Sequence, residues 1–315
     1  MIAQPAVLTL SHEFSREDLF SVVFILVDDW MIKTYGSANL PRETQVPEFT
    51  DSEVISVILV GELCHAPREQ GWLRQVRASY LHLFPKLPER SRFCRRAQKI
   101  VPALIEFRRL VLHWADADLK VTRLLDSLPL PLCSNWRVCQ SSHPISGSSW
   151  GYCSSKKSYY FGLHPLALVT EEGFVDELFL APGNMVDSPL LNAFLSQCAS
   201  LGKNLSGQEW IGDKGFVSKA RDTWAKSLLG LTLHIRQRDY KGFTPAFQTL
   251  LDKIRRPIEG FFSVLTDCFH LTDMLVKTDI GIYRRVEAKI TAFNLARYFN
   301  LVLGRDLAEV ARYAV

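Results

Sequence analysis

The sequence predicts a mixed α/β protein in which a helical N-terminal region precedes a mixed β-sheet flanked by helices. Three observations carry this prediction. Residues 1–118 place apolar side chains at helical spacing, short β-rich runs take over from Leu119, and the later chain alternates helix with strand. With 315 residues there is room for one large domain or two modest ones, each with a buried core. We divide the chain into residues 1–118, 119–303 and a short tail, 304–315.

In the first part, Ser15 with Asp18 three residues on reads as a helix start before the apolar run Leu19–Val27. Thr50 with Glu53 gives the same signal before the next helix, and Pro41 and Pro47 mark the loop between them. Ile100–Trp114 resumes helical spacing. In the second part, Val121–Leu125 reads as a strand, Tyr159–Thr170 as a second and Phe174–Leu180 as a third, with Glu171-Glu172-Gly173 as the hairpin turn. Ser188 is the expected cap of a helix with Pro189 at its first position. Glu209–Ile211 then reads as a strand, Ser218–Leu229 as a helix stopped by Gly230, and Leu231–Ile235 as another strand. Pro257 lacks an N–H, so it is expected to divide the next helical stretch into two.

Composition excludes several classes. No run approaches the roughly 18 apolar residues of a membrane span, and the first residues lack the basic and apolar regions of a secretory signal. Seven cysteines, an odd number, do not read as a disulfide framework, and a cytoplasmic location is expected. Cys133, Cys139, His143 and Cys153 lack the close Cys pair of structural zinc, and the cysteines among them read as ordinary buried or loop thiols; His164 reads as a satisfied core histidine. The net charge of +4 says little, but its distribution is uneven: between Lys86 and Arg109 eight Lys and Arg stand against two Glu. A solvated face explains such a run, and so does neutralisation of phosphates.

Three carboxylates stand apart. Asp126 follows an apolar strand, Asp213 follows another in WIGDKGF, and Glu259 sits beside a basic pair and next to the apolar stripe Ile258, Phe261, Phe262, Leu265, Cys268 and Phe269. A carboxylate leaving a buried strand needs a compensating partner. Converging acids on separate elements commonly share divalent cations, a chemistry suited to phosphodiester cleavage and transfer.

The chain resembles the DDE transposases of bacterial insertion sequences. The resemblance runs in order through FPKLPERSRFCRR (84–96), LLDSLPLPLC (124–133), GYCSSKKSYYFGL (151–163), LAPGNMVDSPLL (180–191), IGDKGF (211–216), RRPIEGFF (255–262) and KITAFNLARYFNL (289–301). It implies a ribonuclease H-like catalytic domain over 119–303, which the strand and helix order also fits, and a DNA-binding role for 1–118. By the same resemblance Asp126, Asp213 and Glu259 would be catalytic and would hold two Mg2+ or Mn2+ ions. Arg92, Arg95, Arg96, Lys156, Lys157, Lys214, Arg255 and Arg256 would contact DNA. The implied partners are transposon terminal inverted repeats and target DNA, with no membrane and with a homodimer as one assembly that the DNA complex allows.

The family pattern is not complete. Where relatives often carry a tyrosine three residues before the arginine, this chain has Asp252, and where a lysine commonly follows the glutamate by seven, it has Thr266. In place of Gly-x-Lys-x-His it reads Gly162, Leu163, His164, Pro165, Leu166. A DNA-binding copy without catalysis and a ribonuclease H-like nuclease without strand transfer are the alternatives.

Overall fold

The structure, a computed structural model, describes residues 14–42, 46–133, 138, 145–154, 156–235 and 245–313. Cys139 and His143 lie outside the described residues. The chain groups into two compact units, one of residues 1–115, 267–271 and 278–315, the other of residues 116–266 and 272–277.

The first unit is helical. Helices α1 (Arg16–Tyr35) and α2 (Asp51–Leu63) start at the two capping boxes legible in the sequence. The Ser15 and Thr50 hydroxyls accept from the Asp18 and Glu53 amides, and those carboxylates return to the cap amides. Helices α3 (Glu69–Ser79), α4 (Arg90–Lys99) and α5 (Val101–Trp114) follow. The last long helix, Asp279–Val302, also belongs to this unit by its packing against α2 and α5, although the sequence division groups all of it with the sheet. It is buried almost all round, Arg284, Glu287, Lys289 and Arg297 included. Ion pairs compensate its charges: Arg108 Nε to Glu287 Oε1 at 2.5 Å, Lys289 Nζ to Glu62 Oε2 at 2.7 Å, and Arg284 with Glu69.

The second unit is built on a five-stranded sheet. Its strands are β1 (Thr122–Ser127), β5 (Leu166–Thr170), β6 (Val175–Phe179), β7 (Glu209–Gly212) and β8 (Thr232–Ile235), in the order β6-β5-β1-β7-β8. β5 runs antiparallel to β1 and β6, while β1, β7 and β8 are parallel. Counted within this sheet the order is 3-2-1-4-5 with the second strand reversed, which is the ribonuclease H-like arrangement expected. Helices α6 (Asp187–Ser200) and α7 (Lys219–Leu229) accompany it, and Leu190, Leu191, Phe194 and Leu195 of α6 join Leu125, Leu168, Trp210, Phe216 and Ile235 in one core. Ser218 caps α7, and Gly230, at φ +65°, ends it as the sequence indicates.

Four readings are corrected. The run Tyr159–Thr170 is two strands, β4 (Ser158–Leu163) and β5, because Pro165 lacks a ladder donor and the His164 amide turns away to the Ala181 carbonyl at 2.7 Å. A three-stranded sheet, β2 (Leu130–Cys133), β4 and β3 (Ser149–Cys153) in that order, was not expected; Pro131 hid β2, which tolerates it as an edge strand. Helix α6 begins at Asp187 with no side-chain cap, since the Ser188 hydroxyl accepts instead from Arg221 at 3.3 Å. Finally, Pro257 does not divide its helix: α8 runs unbroken from Pro245 to Asp267, with Ile258 and Leu265 buried. Counting Asp279–Val302 as α9, the described residues form nine α-helices.

Continuity through Pro257 leaves the Lys253 carbonyl without its usual helical donor, a defect that burial of the apolar stripe offsets. Pro257→Ala should therefore raise the stability of the protein, by up to about 3 kcal/mol, read as a higher denaturation midpoint. An unchanged or lowered midpoint would mean the proline is compatible with its local geometry.

Candidate active site

The two aspartates are brought together by strand pairing. On β1, Leu124 and Leu125 are fully buried, and the parallel register places Leu124 opposite Ile211 and Leu125 opposite Gly212. The next residues along the two chains are Asp126 and Asp213. Two carboxylates thus leave the carboxyl ends of adjacent parallel strands, which lie about 4.8 Å apart in any such pair. This end of an open α/β sheet is where ligands bind. Both aspartates are half-buried. Asp126 Oδ1 accepts from the Ser127 amide at 2.9 Å, which holds its carboxylate beside the strand end. Asp213 is extended, and a 3-10 turn, Lys214–Phe216, folds back so that the Phe216 amide reaches the Asp213 carbonyl at 3.0 Å. Phe216 is fully buried and Arg221 donates to its carbonyl, which anchors the turn.

Glu259 lies on α8 and is exposed, flanking the apolar stripe as the sequence indicated. Among the described residues no group of three or more His, Cys, Asp or Glu is gathered so as to hold a metal ion. The structure therefore joins Asp126 to Asp213 but does not bring Glu259 into a three-carboxylate cage with them. The donor chemistry of the aspartate pair fits a hard divalent cation, which takes carboxylate oxygens in preference to sulfur or imidazole. Glu287, another acid later in the sequence, is committed to Arg108.

The predicted cations fall into distinct settings. Lys214 is exposed beside Asp213. Lys156 and Lys157 are exposed at the turn between β3 and β4, with Lys157 at φ +48°. Arg255 and Arg256 lie on α8, one turn before Glu259. In the helical unit Arg92 and Arg95 are exposed three residues apart on α4, opposite its buried Phe93 and Ala97. Arg96 is different. Its guanidinium donates to the Phe49 carbonyl and to Asp51 Oδ1, and lies 5.8 Å from the Phe49 ring centre. Asp51 is 1% exposed and also takes Arg42, so Arg96 neutralises a buried carboxylate. Charge counting cannot separate Arg96 from its neighbours; the spacing of Phe93 and Ala97, which turns position 96 partly inward, was the available signal.

Two further residues around the site, Arg123 and Asp187, were missed in the sequence. Arg123, buried on β1, pairs with Asp176 at 2.8 Å and caps the Lys120 carbonyl at 2.6 Å, fixing the start of the strand that carries Asp126. His164 is satisfied, as expected, by the Met185 carbonyl at 2.6 Å from Nδ1. Asp187 accepts from the Ser127 hydroxyl at 2.6 Å. The Tyr160 phenol is pushed up to about 12, first by burial and then by the negative charges of Cys153 and Asp187.

With this geometry in hand, comparison with known proteins gives one match. A family model described as a transposase DDE domain matches residues 122–295. The match begins on β1 and spans more than half of the 315 residues. The chain belongs to the DDE transposase family. No curated protein and no solved structure matches it. Among the described residues no helix is long and apolar enough to cross a membrane.

Two outcomes are expected. Mg2+ or Mn2+ should raise the melting temperature of the folded protein, and Asp126→Asn with Asp213→Asn should abolish that rise; an unchanged rise would place the metal elsewhere. Arg96→Ala should cost about 2 kcal/mol by stripping a charged hydrogen-bond partner from Asp51. Arg92→Ala with Arg95→Ala should leave stability within about 0.5 kcal/mol while lowering the salt slope of DNA binding by about 0.9 per lost contact. Equal stability of the two variants would reject the distinction.

Proposed function

We propose that this transposase nicks DNA at the terminal inverted repeats of its element and joins the freed ends to target DNA. The observation that supports this most directly is the register that sets Asp126 and Asp213 side by side at parallel strand ends, within a chain of the DDE family. In this reading Asp126, Asp213 and Glu259 hold two Mg2+ or Mn2+ ions. When bound, these supply the positive charge that activates the attacking oxygen and stabilises the leaving one. The carboxylates keep that charge in place, which is why an amide of the same shape should not substitute. Lys214 next to Asp213, the exposed Lys156 and Lys157, and Arg255 and Arg256 before Glu259 contact the DNA backbone near the reacting phosphate. Arg92 and Arg95 hold the duplex from the helical unit. The chain works in the cytoplasm, and a homodimer on paired ends fits a reaction that joins two of them.

A second reading, binding without cutting, is favoured by the departures at Asp252 and Thr266 from the tyrosine and lysine that the family pattern often has there. A nicking assay on end DNA separates it from catalysis, and a strand-transfer assay then separates a transposase from a nuclease.

Glu259→Gln is the sharpest test of the catalytic reading. Glutamine keeps the size of an exposed side chain but lacks the charge. The variant should fold and bind end DNA like the parent, yet nick at least about a thousandfold more slowly. Near-normal nicking would show that another acid completes the site, and loss of folding would make Glu259 structural.

A further inference from the structure

Asp187 is outside the acid pair, yet it touches both of the segments that carry it. It lies in the first turn of α6, where free helix amides favour a negative charge. Its Oδ1 accepts from the Ser127 hydroxyl at 2.6 Å, one residue beyond Asp126. The other oxygen packs against Gly215, two residues beyond Asp213. A Cβ built on Gly215 would fall inside contact distance of Asp187 Oδ2, and 3.2 Å from its Cγ. Gly215 has an ordinary negative φ, so this crowding, and not a left-handed backbone, is what demands glycine there.

The loop that leads into α6 is itself held. His164 Nδ1 lies 2.6 Å from the Met185 carbonyl, and since a carbonyl only accepts, the ring proton is on Nδ1. That leaves Nε2 facing Asp187 Oδ1 at 3.8 Å. The ring therefore braces the loop before α6, while its Nε2 stays beyond hydrogen-bond distance of Asp187. Because consecutive side chains on a strand point to opposite faces, Asp187 grips Ser127 from the face opposite Asp126. It is placed to set the strand and not to share a ligand with Asp126.

We propose that Asp187 is a positioning residue that fixes the separation of Asp126 and Asp213, acting through Ser127 on one strand end and the Gly215 turn on the other. The inference rests on reading the aspartate pair as the metal-holding centre. Outer partners of this kind typically change metal affinity about 10- to 100-fold when removed.

The test is Mn2+ binding to the full-length protein without DNA, followed by the electron paramagnetic resonance of free Mn2+, with thermal unfolding recorded in parallel. Asp187→Ala should fold and bind Mn2+ about tenfold more weakly. Asp187→Asn keeps an acceptor for Ser127 and should recover most of the affinity, which a ligand role would not allow. Ser127→Ala should weaken binding in the same direction, and carries the test if Asp187→Ala does not fold. Gly215→Ala should match the defect of Asp187→Ala, while Gly215→Ala combined with Asp187→Ala should be no worse than either alone, because the clash is gone. Parent-like binding by Asp187→Ala, with Asp213→Asn unable to bind, would overturn the inference and leave the metal reading standing. Parent-like binding by Asp213→Asn would overturn both. An Asp187→Asn variant as defective as Asp213→Asn would make Asp187 a ligand and overturn the positioning role.

Discussion

The register between β1 and β7 is the constraint on which the site depends. Leu124, Leu125, Trp210 and Ile211 are all nearly or fully buried, so each strand has its faces fixed by what must leave water. Both strands are buried on both faces here, so a slip of one residue would draw Asp126 into the fully buried place of Leu125, opposite Gly212. Desolvation of a carboxylate opposes it. The aspartates are adjacent because their apolar neighbours cannot pair otherwise. Gly212, opposite Leu125, suits this crowded place, where a Cβ would press within 2.9 Å of Ile235.

In the helical unit the corresponding constraint is electrostatic. Glu62, Glu69 and Glu287 find cations on or against α9, and Asp51 finds two arginines. Charges taken out of water are tolerated only in such pairs, and removing one partner leaves the other stranded. The consequence reaches function. Of the cations between Lys86 and Arg109, Arg96 and Arg108 serve buried carboxylates, while Arg92 and Arg95 stay at the surface. A run of like charge is therefore a mixture of fold and binding surface, sorted by the helix face on which each residue falls.

What could be read locally was read well. The capping boxes at Ser15 and Thr50, the Gly230 stop and the Gly173 turn depend on residues within four positions of each other, so the chain displays them directly. The features that escaped depend on distant partners. Ser188 has the composition of a cap but its hydroxyl serves Arg221, more than thirty residues away. Pro257 has the composition of a break, but the helix through it buries Ile258 and Leu265. Asp187 carries no local signal at all, since its meaning lies in Ser127 and Gly215, on two other elements.

The sequence by itself determined the class of the protein and the two apolar strands that lead to Asp126 and Asp213, because apolar runs and their punctuation are local properties. The tertiary structure decided which strands pair and in what register, that Arg96 is taken up by Asp51 while Arg92 and Arg95 are exposed, and that the C-terminal helix packs with the N-terminal ones. It also decided that the aspartates stand together while Glu259 remains exposed on α8. Those outcomes turn on burial and charge compensation between residues far apart in the chain, and no local pattern encodes the distance between them.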